Sequence, residues 1–165
     1  MSDLDIKTEL ASAVGHIPSG LFIVTAKSSK DDHIDGFLGS WIQQISFDPL
    51  LITLAVKPGR PAYDLIMSGE VFTINVVGDI DKNYLKHFWK GYDPAHSPFD
   101  ELVPTHTGKN GGVVLDLAKS AIECKLISAT EPGDHELVVA EVLSSEILNK
   151  KAKSLTHMRK SGLEY

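Results

Sequence analysis

The spacing of apolar and polar residues separates a short first helix from a long region rich in strands. Over residues 4–14, Leu4, Ile6, Leu10 and Val14 recur at roughly helical spacing, and acidic residues occupy the first turn. A glycine at position 15 and a proline at position 18 end the periodic stretch. The pattern predicts a helix over residues 4–14.

Strand-forming residues dominate the chain after this helix. Their β-branched and aromatic side chains cluster in runs separated by turn residues. The predicted strands span residues 21–25, 37–46, 50–56, 71–77, 120–130 and 136–148. Residues 28–36 predict a hairpin connection, and residues 131–134 predict a turn between the last two strands. The 50–56 strand is apolar enough to be expected buried on both faces.

Three other kinds of segment interrupt the strands. Residues 62–67 and 81–89 predict short helices, the first opened by a proline at a position that a helix tolerates. Residues 91–112 are rich in Gly, Pro, His and Thr, and an irregular segment of that length usually has a function or covers something. Residues 150–165 form a basic C-terminal segment, for which fraying is the default expectation.

Together these elements predict one mainly β domain over residues 1–165. The helix at about 4–14 would precede a β-barrel at about 20–148, and the basic segment 150–165 would follow it. Six strands with few helices favour a barrel with helical decoration. The strands do not alternate with helices, which argues against a doubly wound parallel sheet.

Composition narrows the class of protein. The 165 residues are 42% hydrophobic and 23% charged, which is typical of a globular domain. The net charge of −6, without a basic block to offset it, makes non-specific nucleic-acid binding a poor interpretation. The single cysteine, Cys124, excludes an internal disulfide framework and a multi-cysteine zinc site, and its apolar neighbours predict a buried, inert thiol.

The apolar runs are too short for a membrane span. The longest, Leu50–Val56, is far below the length that crosses a bilayer, and the acidic N-terminus lacks the positive region of a signal peptide. We therefore expect a soluble, cytoplasmic domain without membrane or nucleic-acid partners.

Common catalytic signatures are missing from the sequence. It contains no glycine-rich nucleotide loop, no Gly-x-Ser-x-Gly elbow and no His-Glu-x-x-His pair. The histidines at positions 87, 96 and 106 are too widely spaced for a short ligand pair, so we expect no metal site.

Three segments carry polar groups that suit ligand binding. Residues 39–50 begin as a strand, end at a proline turn, and place hydroxyl and amide side chains beside Trp41. Lys57 and Arg60 flank a glycine at a helix start, where a guanidinium and helix amides can bind phosphate. His135 follows a turn at a strand entrance. Taken singly, each also fits an ordinary half-buried strand, a solvated basic loop and a loop histidine.

The order of these segments resembles the flavin reductase-like family. A Ser/Gln-bearing strand ends in Ser-Phe-Asp-Pro-Leu at 46–50, and a buried strand, a Lys-x-x-Arg loop, a short helix and a Phe-x-x-Asn strand at 72–75 follow. A Gly-Asp-His turn at 133–135 and a Met-Arg-Lys-Ser-Gly ending at 158–162 complete the pattern. The likeness extends from about residue 15 to 165, and it is greatest to the flavin reductase modules attached to flavodiiron proteins.

The resemblance implies a fold and a set of site residues. The fold would be an FMN-binding split β-barrel of Greek-key type with a few peripheral helices. Lys57 and Arg60 would hold the flavin phosphate, and His135 would face the open side of the ring. The other cofactor-binding residues implied are Ser40, Trp41, Ile42, Gln43, Ser46, Phe47 and Asn75. Many relatives have an Asn-Ser pair at positions 40–41 and two prolines at positions 48–49, so this chain departs from them there.

The resemblance also implies an activity. A hydride would pass from NADH or NADPH to bound FMN, with FAD as the other candidate flavin, and the electrons would continue to free flavin or a partner protein. A homodimer is expected. The alternatives left open are a non-catalytic flavin- or haem-binding split barrel, an oxidase acting on a phosphorylated vitamin, and an interaction domain without a cofactor.

Overall fold

The computed structural model describes residues 3–80, 83–89, 91–93, 96–99 and 102–163, and strands dominate it. The helices are α1 (Asp3–Gly15), α2 (Tyr63–Met67) and α3 (Lys86–Trp89), with a 3-10 turn at Asn83–Leu85. The strands are β1 (Ser19–Gly20), β2 (Phe22–Lys27), β3 (Ile34–Gly39), β4 (Ile42–Phe47), β5 (Leu50–Val56), β6 (Phe72–Val76), β7 (Thr105–Thr107), β8 (Val113–Leu115), β9 (Ser120–Thr130), β10 (Glu136–Ile147) and β11 (Thr156–His157).

Seven strands form one antiparallel sheet that closes on itself. Their order is β3-β2-β6-β9-β10-β5-β4, so β3 and β4 are the two edges. Only Ser40 and Trp41 connect these edge strands, and so short a link forces the sheet to curl until its edges meet. We call the line where these two edges meet the seam. At the seam, the covalent link through Ser40 and Trp41 joins β3 to β4, which are not hydrogen-bonded neighbours in the sheet. The prediction of a mainly β fold of the split-barrel type is confirmed.

Two apolar clusters stabilise this arrangement. The first fills the barrel and includes Val24, Leu54, Phe72 and Val138, with Ile66 of α2 packed into it. The second lies between the barrel and the segment that follows β6, and includes Ile23, Phe88 and Leu115. Cys124 belongs to the first cluster, where burial raises the pKa of its thiol to about 12, so the prediction of a buried thiol is confirmed.

The C-terminal segment is attached to the start of the chain. β11 pairs antiparallel with β1, and Leu155 N donates to Val77 O at 3.0 Å. Beyond β11, Arg159 N donates to Gly15 O at 3.2 Å, and Gly162 N donates to Ala11 O. The expectation of a frayed segment is therefore wrong for its described part.

The predicted helix over residues 4–14 and most of the strands are confirmed within one or two residues. The exception is the predicted 37–46 strand, which the structure breaks at the seam into β3 and β4. β5 matches its prediction in length but not in burial, because its side chains alternate between buried and half-buried. Within 81–89, residues 81–82 lie outside the described part, and the remainder is one 3-10 turn and one helical turn.

The predicted irregular segment 91–112 is described only in part, and its described residues include β7. Among the described residues, no helix is both long and apolar enough to cross a membrane.

Candidate functional site

The seam between β3 and β4 opens into a surface groove. Three adjoining hollows make up this groove, and Ser40 lines all of them. The largest has a volume of about 450 Å³ and lies between the outer faces of β4, β5 and β10 and the C-terminal segment. That volume is within the usual range for small-molecule and cofactor sites.

The floor of the large hollow carries no charged side chain. Gln43 and Thr53 are opposite each other on β4 and β5, and Ala55 and Leu137 are opposite each other on β5 and β10. Ala55 N donates to Trp41 O at 3.0 Å, which extends the pairing of β5 one step past the start of β4. The floor therefore offers a neutral surface with a few hydrogen-bonding groups.

One end of the groove is cationic. Lys57 and Arg60 follow β5 and line a hollow that Ser40 and Trp41 also line. Arg60 reaches further, into an adjoining hollow of about 80 Å³ that Trp89 and His157 also line. A guanidinium in this position suits a phosphate, because its planar donors can bind two oxygens at once.

Two backbone amides of this loop donate within the loop itself. Arg60 N donates to Lys57 O at 3.2 Å, and Tyr63 N donates to Arg60 O at 3.0 Å. Gly59 has a φ of 81° and Ala62 a φ of 65°, which turn the chain sharply into α2. α2 has five residues. The sequence-based expectation that helix amides contribute to a phosphate site stays a prediction.

Trp41 is part of a three-residue stack at the seam. Its ring centroid is 4.9 Å from that of His135, with 54° between the two planes. The guanidinium carbon of Arg159 lies 4.9 Å from the centroid of the Trp41 ring, in cation-π geometry. We call these three side chains the Trp41 stack.

His135 is held from its other side by a neighbouring carboxylate. Its Nδ1 donates to Asp134 Oδ1 at 2.9 Å, and its side chain is only 11% exposed. This hydrogen bond is the main cause that holds the pKa of Asp134 below its ordinary value, and the charge of Lys57 contributes. The ring orientation of His135 is therefore set by Trp41 and Asp134 together.

Comparison with known proteins identifies the family. The flavin reductase like domain model matches residues 14–162, which is most of the chain. The chain belongs to the flavin reductase-like family. The predicted resemblance is confirmed.

Curated relatives agree with this membership. The domain is 36% identical over 159 residues to a diflavin flavoprotein A sequence of Nostoc sp., and 32% identical over 161 residues to diflavin flavoprotein A 1 of Synechocystis sp.. These alignments cover 96% and 97% of this chain but only 27% and 28% of the relatives, so the chain spans about a quarter of their length.

Among solved structures, NADH:FAD oxidoreductase SgcE6 of Streptomyces globisporus C-1027 matches with a TM-score of 0.82 at 20% identity, covering 98% of this chain and 93% of that one. The styrene monooxygenase flavin reductase SMOB of Pseudomonas putida S12 matches with a TM-score of 0.77 at 22% identity, covering 92% and 93%. At these identities the likeness establishes the fold.

The flavin reductase-like domain brings most of the predicted site residues together. Ser40, Trp41, Lys57 and Arg60 share one hollow, and Ile42 and Gln43 join Ser40 and Trp41 in the largest hollow. His135 reaches the groove through its contact with Trp41.

Ser46 and Phe47 lie elsewhere on the flavin reductase-like domain. They occupy the far end of β4, opposite Leu51 and Leu50, and Phe47 is 91% exposed. At the rise of an extended strand, Phe47 is about 17 Å from Ile42. The structure of one chain does not bring these two residues to the groove.

Asn75 is also absent from the described lining of the groove, because its side chain faces the interior. Its Nδ2 donates to Ile23 O at 3.1 Å and to Thr25 Oγ1 at 3.0 Å. Its Oδ1 accepts from Leu115 N at 2.9 Å. Asn75 is buried and ties β2 to β8, so the structure gives it a role in the fold.

Sequence reasoning missed several residues that line the groove. Trp89 and His157 line the hollow beside Arg60, and Ser19 and Thr156 line the large hollow. The pairing of β1 with β11 places Ser19, Thr156 and His157 there. Both strands have only two residues, which is too short for a periodic pattern to show.

Proposed function

We propose that this domain binds FMN in the seam groove and catalyses its reduction by NADH or NADPH. The observation that carries the proposal is that a cationic hollow, lined by Lys57 and Arg60, shares Ser40 and Trp41 with a neutral hollow of about 450 Å³. FMN has the matching form, since it joins a phosphate to a planar, mostly uncharged ring system. Membership of the flavin reductase-like family supports the same assignment.

The residues that would hold FMN fall into two groups. Lys57 and Arg60 would bind the phosphate through their side chains. Ser40, Trp41, Ile42 and Gln43 would supply hydrogen bonds along the rest of the molecule, partly from the backbone. β4 is an edge strand, so alternate amide and carbonyl groups point away from β5 and are available to a ligand.

The protein's own part in the reaction is binding and orientation. When bound, a flavin would supply the redox chemistry that takes up a hydride from a pyridine nucleotide. His135 and Trp41 would shape the side of the groove that receives the nicotinamide. Asp134 would keep the His135 ring in place through the hydrogen bond to Nδ1.

The acceptor and the assembly are further parts of the proposal. The electrons would pass to free flavin or to a partner protein, and the longer relatives support a protein acceptor, because a domain like this one makes up about a quarter of their length. A homodimer would cover exposed apolar side chains of β9 and β10, which include Ile127, Leu137 and Leu143. Sedimentation of the purified chain checks this: a particle with the mass of one chain would contradict it.

The first experiment is an anaerobic visible absorption titration. FMN is added to the purified protein, and NADH or NADPH is then added. We expect flavin bands that shift on binding and then bleach. Bound flavin that does not bleach would favour a carrier, a Soret band would favour haem binding, and no chromophore binding at all would overturn the proposal.

Arg60→Ala is expected to weaken FMN binding about tenfold or more, because a charge-assisted contact to the phosphate is lost. The dissociation constant is measured by flavin fluorescence titration. Riboflavin, which lacks the phosphate, should bind the variant and the wild type about equally.

The matched control is Lys30→Ala, which removes an exposed cation from the turn between β2 and β3, at the opposite end of β3 from the seam. FMN affinity in this variant should be unchanged. Equal losses for FMN and riboflavin in Arg60→Ala would show that Arg60 does not bind the phosphate.

A further inference from the structure

The position of Arg159 is fixed by the backbone on both sides. Before it, His157 pairs with Ser19 in the two-stranded sheet of β1 and β11. At Arg159 itself, the amide donates to Gly15 O at 3.2 Å, and three residues later Gly162 N donates to Ala11 O. The guanidinium that contacts Trp41 therefore belongs to a segment whose backbone is hydrogen-bonded on both sides of Arg159.

Arg159 is half-buried without an acidic partner among the described residues. The side chain of Arg159 contacts the Trp41 ring, and none of the ion pairs among the described residues includes Arg159. A guanidinium over an aromatic face still has N–H donors that the ring does not use, and these can bind phosphate oxygens in pairs. Stacking on Trp41 thus presents these donors beside the large hollow, which Trp41 lines.

We propose that Arg159 binds the pyrophosphate of the pyridine dinucleotide that reduces the flavin. This inference rests on the proposed function and adds a second anion-binding group to it, separate from Lys57 and Arg60. The Trp41 stack would link the two halves of the co-substrate, since His135 and Arg159 both contact the Trp41 ring. The nicotinamide would lie toward His135, and the pyrophosphate would lie toward Arg159.

The cations come from two separate segments, which favours one binding site for the flavin phosphate and another for the pyrophosphate. Lys57 and Arg60 lie in the loop after β5, where the phosphate of a flavin would be bound, whereas Arg159 comes from the C-terminal segment. A dinucleotide carries two negative charges on its pyrophosphate, and a single guanidinium binds such a group through two parallel hydrogen bonds.

The test compares two hydride donors. NADH carries a pyrophosphate, whereas N-benzyl-1,4-dihydronicotinamide has the same reactive ring and no phosphate. Steady-state oxidation of each donor is measured with the FMN-loaded protein and with the FMN-loaded variant Arg159→Met. Methionine keeps an unbranched apolar side chain against Trp41 and removes the donors and the charge.

We expect KM for NADH to rise about tenfold in Arg159→Met, with kcat changed less than twofold. KM for the benzyl donor should stay within twofold of the wild type. Arg159→Lys, which keeps the charge without the planar fork, should recover part of the NADH affinity. Lys160→Met, which removes the neighbouring exposed cation, should leave both donors unaffected.

A binding measurement removes the dependence on turnover. The chain has two tryptophans, so in a Trp89→Phe background the tryptophan emission, excited selectively over tyrosine, comes from Trp41 alone. Titration with ADP-ribose, which contains the pyrophosphate but no nicotinamide, should change this emission. The midpoint should move about tenfold higher in the double variant Trp89→Phe/Arg159→Met.

Two results would overturn the proposal. One is an equal rise in KM for both donors in Arg159→Met, which would assign Arg159 to holding Trp41 only. The other is an ADP-ribose midpoint that does not change with the loss of Arg159. Failure of the wild type to oxidise either donor while it still binds ADP-ribose through Arg159 would instead contradict the proposed function and leave this site standing.

Discussion

At the scale of single residues, burial separates residues of the groove from residues of the fold. Ser40 and Asn75 are both polar, buried and located at or in strands. Ser40 lines the groove, whereas the amide of Asn75 is fully engaged with Ile23, Thr25 and Leu115. A polar residue in a strand motif can therefore belong to either class, and its hydrogen-bond partners decide which.

Asn75→Ala is expected to lower the free energy of unfolding by about 3 kcal/mol, because Leu115 N loses its acceptor in a buried site and a small cavity remains. Urea denaturation measures this loss. Asn149→Ala is the control, since Asn149 is half-buried and accepts one hydrogen bond of 3.3 Å, from Ala152 N, so its loss should cost less than about 1 kcal/mol. Equal losses in the two variants would contradict the role given to Asn75.

At the scale of elements, the sequence predicts most strands but not how the barrel is joined. β5, β9 and β10 follow from their own apolar patterns. The break between β3 and β4 does not, because a strand pattern runs through it and the break arises from closure of the sheet between distant elements. The same limit applies to the site. Residues next to the break were predicted as site residues from their local motif, whereas the groove residues of β1 and β11 were missed because they become neighbours only in the folded chain.

Gly162→Val tests the attachment of the C-terminal segment to α1. A Cβ at position 162 would lie 2.8 Å from Val14 Cβ and 2.9 Å from Ala11 O, so the larger side chain must displace one element from the other. We expect a lower free energy of unfolding, by about 2 kcal/mol. We also expect a changed Trp41 emission, because Arg159 would shift relative to the Trp41 ring, and this is measured by fluorescence in a Trp89→Phe background.

The control is Gly133→Ala, where the added Cβ would meet no atom within 4 Å. Its unfolding free energy should stay within about 0.5 kcal/mol of the wild type. A stable Gly162→Val variant with unchanged Trp41 emission would show that the segment does not depend on this contact.

At the scale of the whole molecule, Glu123 and His106 make the free energy of unfolding depend on pH in opposite directions. Burial opposes ionisation of Glu123, but hydrogen bonds from Ser144, Asn110 and Gly112 outweigh it and hold the pKa of Glu123 below its ordinary value. The stabilisation of the fold by the Glu123 carboxylate is therefore present above pH 4.5, the ordinary pKa. It is lost as the pH falls through the lowered pKa of Glu123.

His106 acts in the other direction. Hydrogen bonds to Asp116 at 2.6 Å and to Glu146 at 3.1 Å raise its pKa above the ordinary 6.5. The charged ring therefore stabilises the fold fully below pH 6.5, and this contribution is lost as the pH rises through the raised pKa.

His106→Asn should remove this decline in stability. Urea midpoints measured across neutral and mildly alkaline pH should fall in the wild type and stay flatter in the variant. His16→Asn, which changes an exposed histidine after α1, should follow the wild type. Parallel curves for His106→Asn and the wild type would contradict the assignment.

The pairing of β1 with β11 also sets an order of events during synthesis. Ser19 and Gly20 leave the ribosome long before their partners Thr156 and His157. The seven-stranded barrel has all its strands by Ile147, whereas one wall of the groove is completed only when residues 154–156 have been made. A nascent chain would therefore fold before it could hold its ligands, and cofactor capture would be a late step of its maturation.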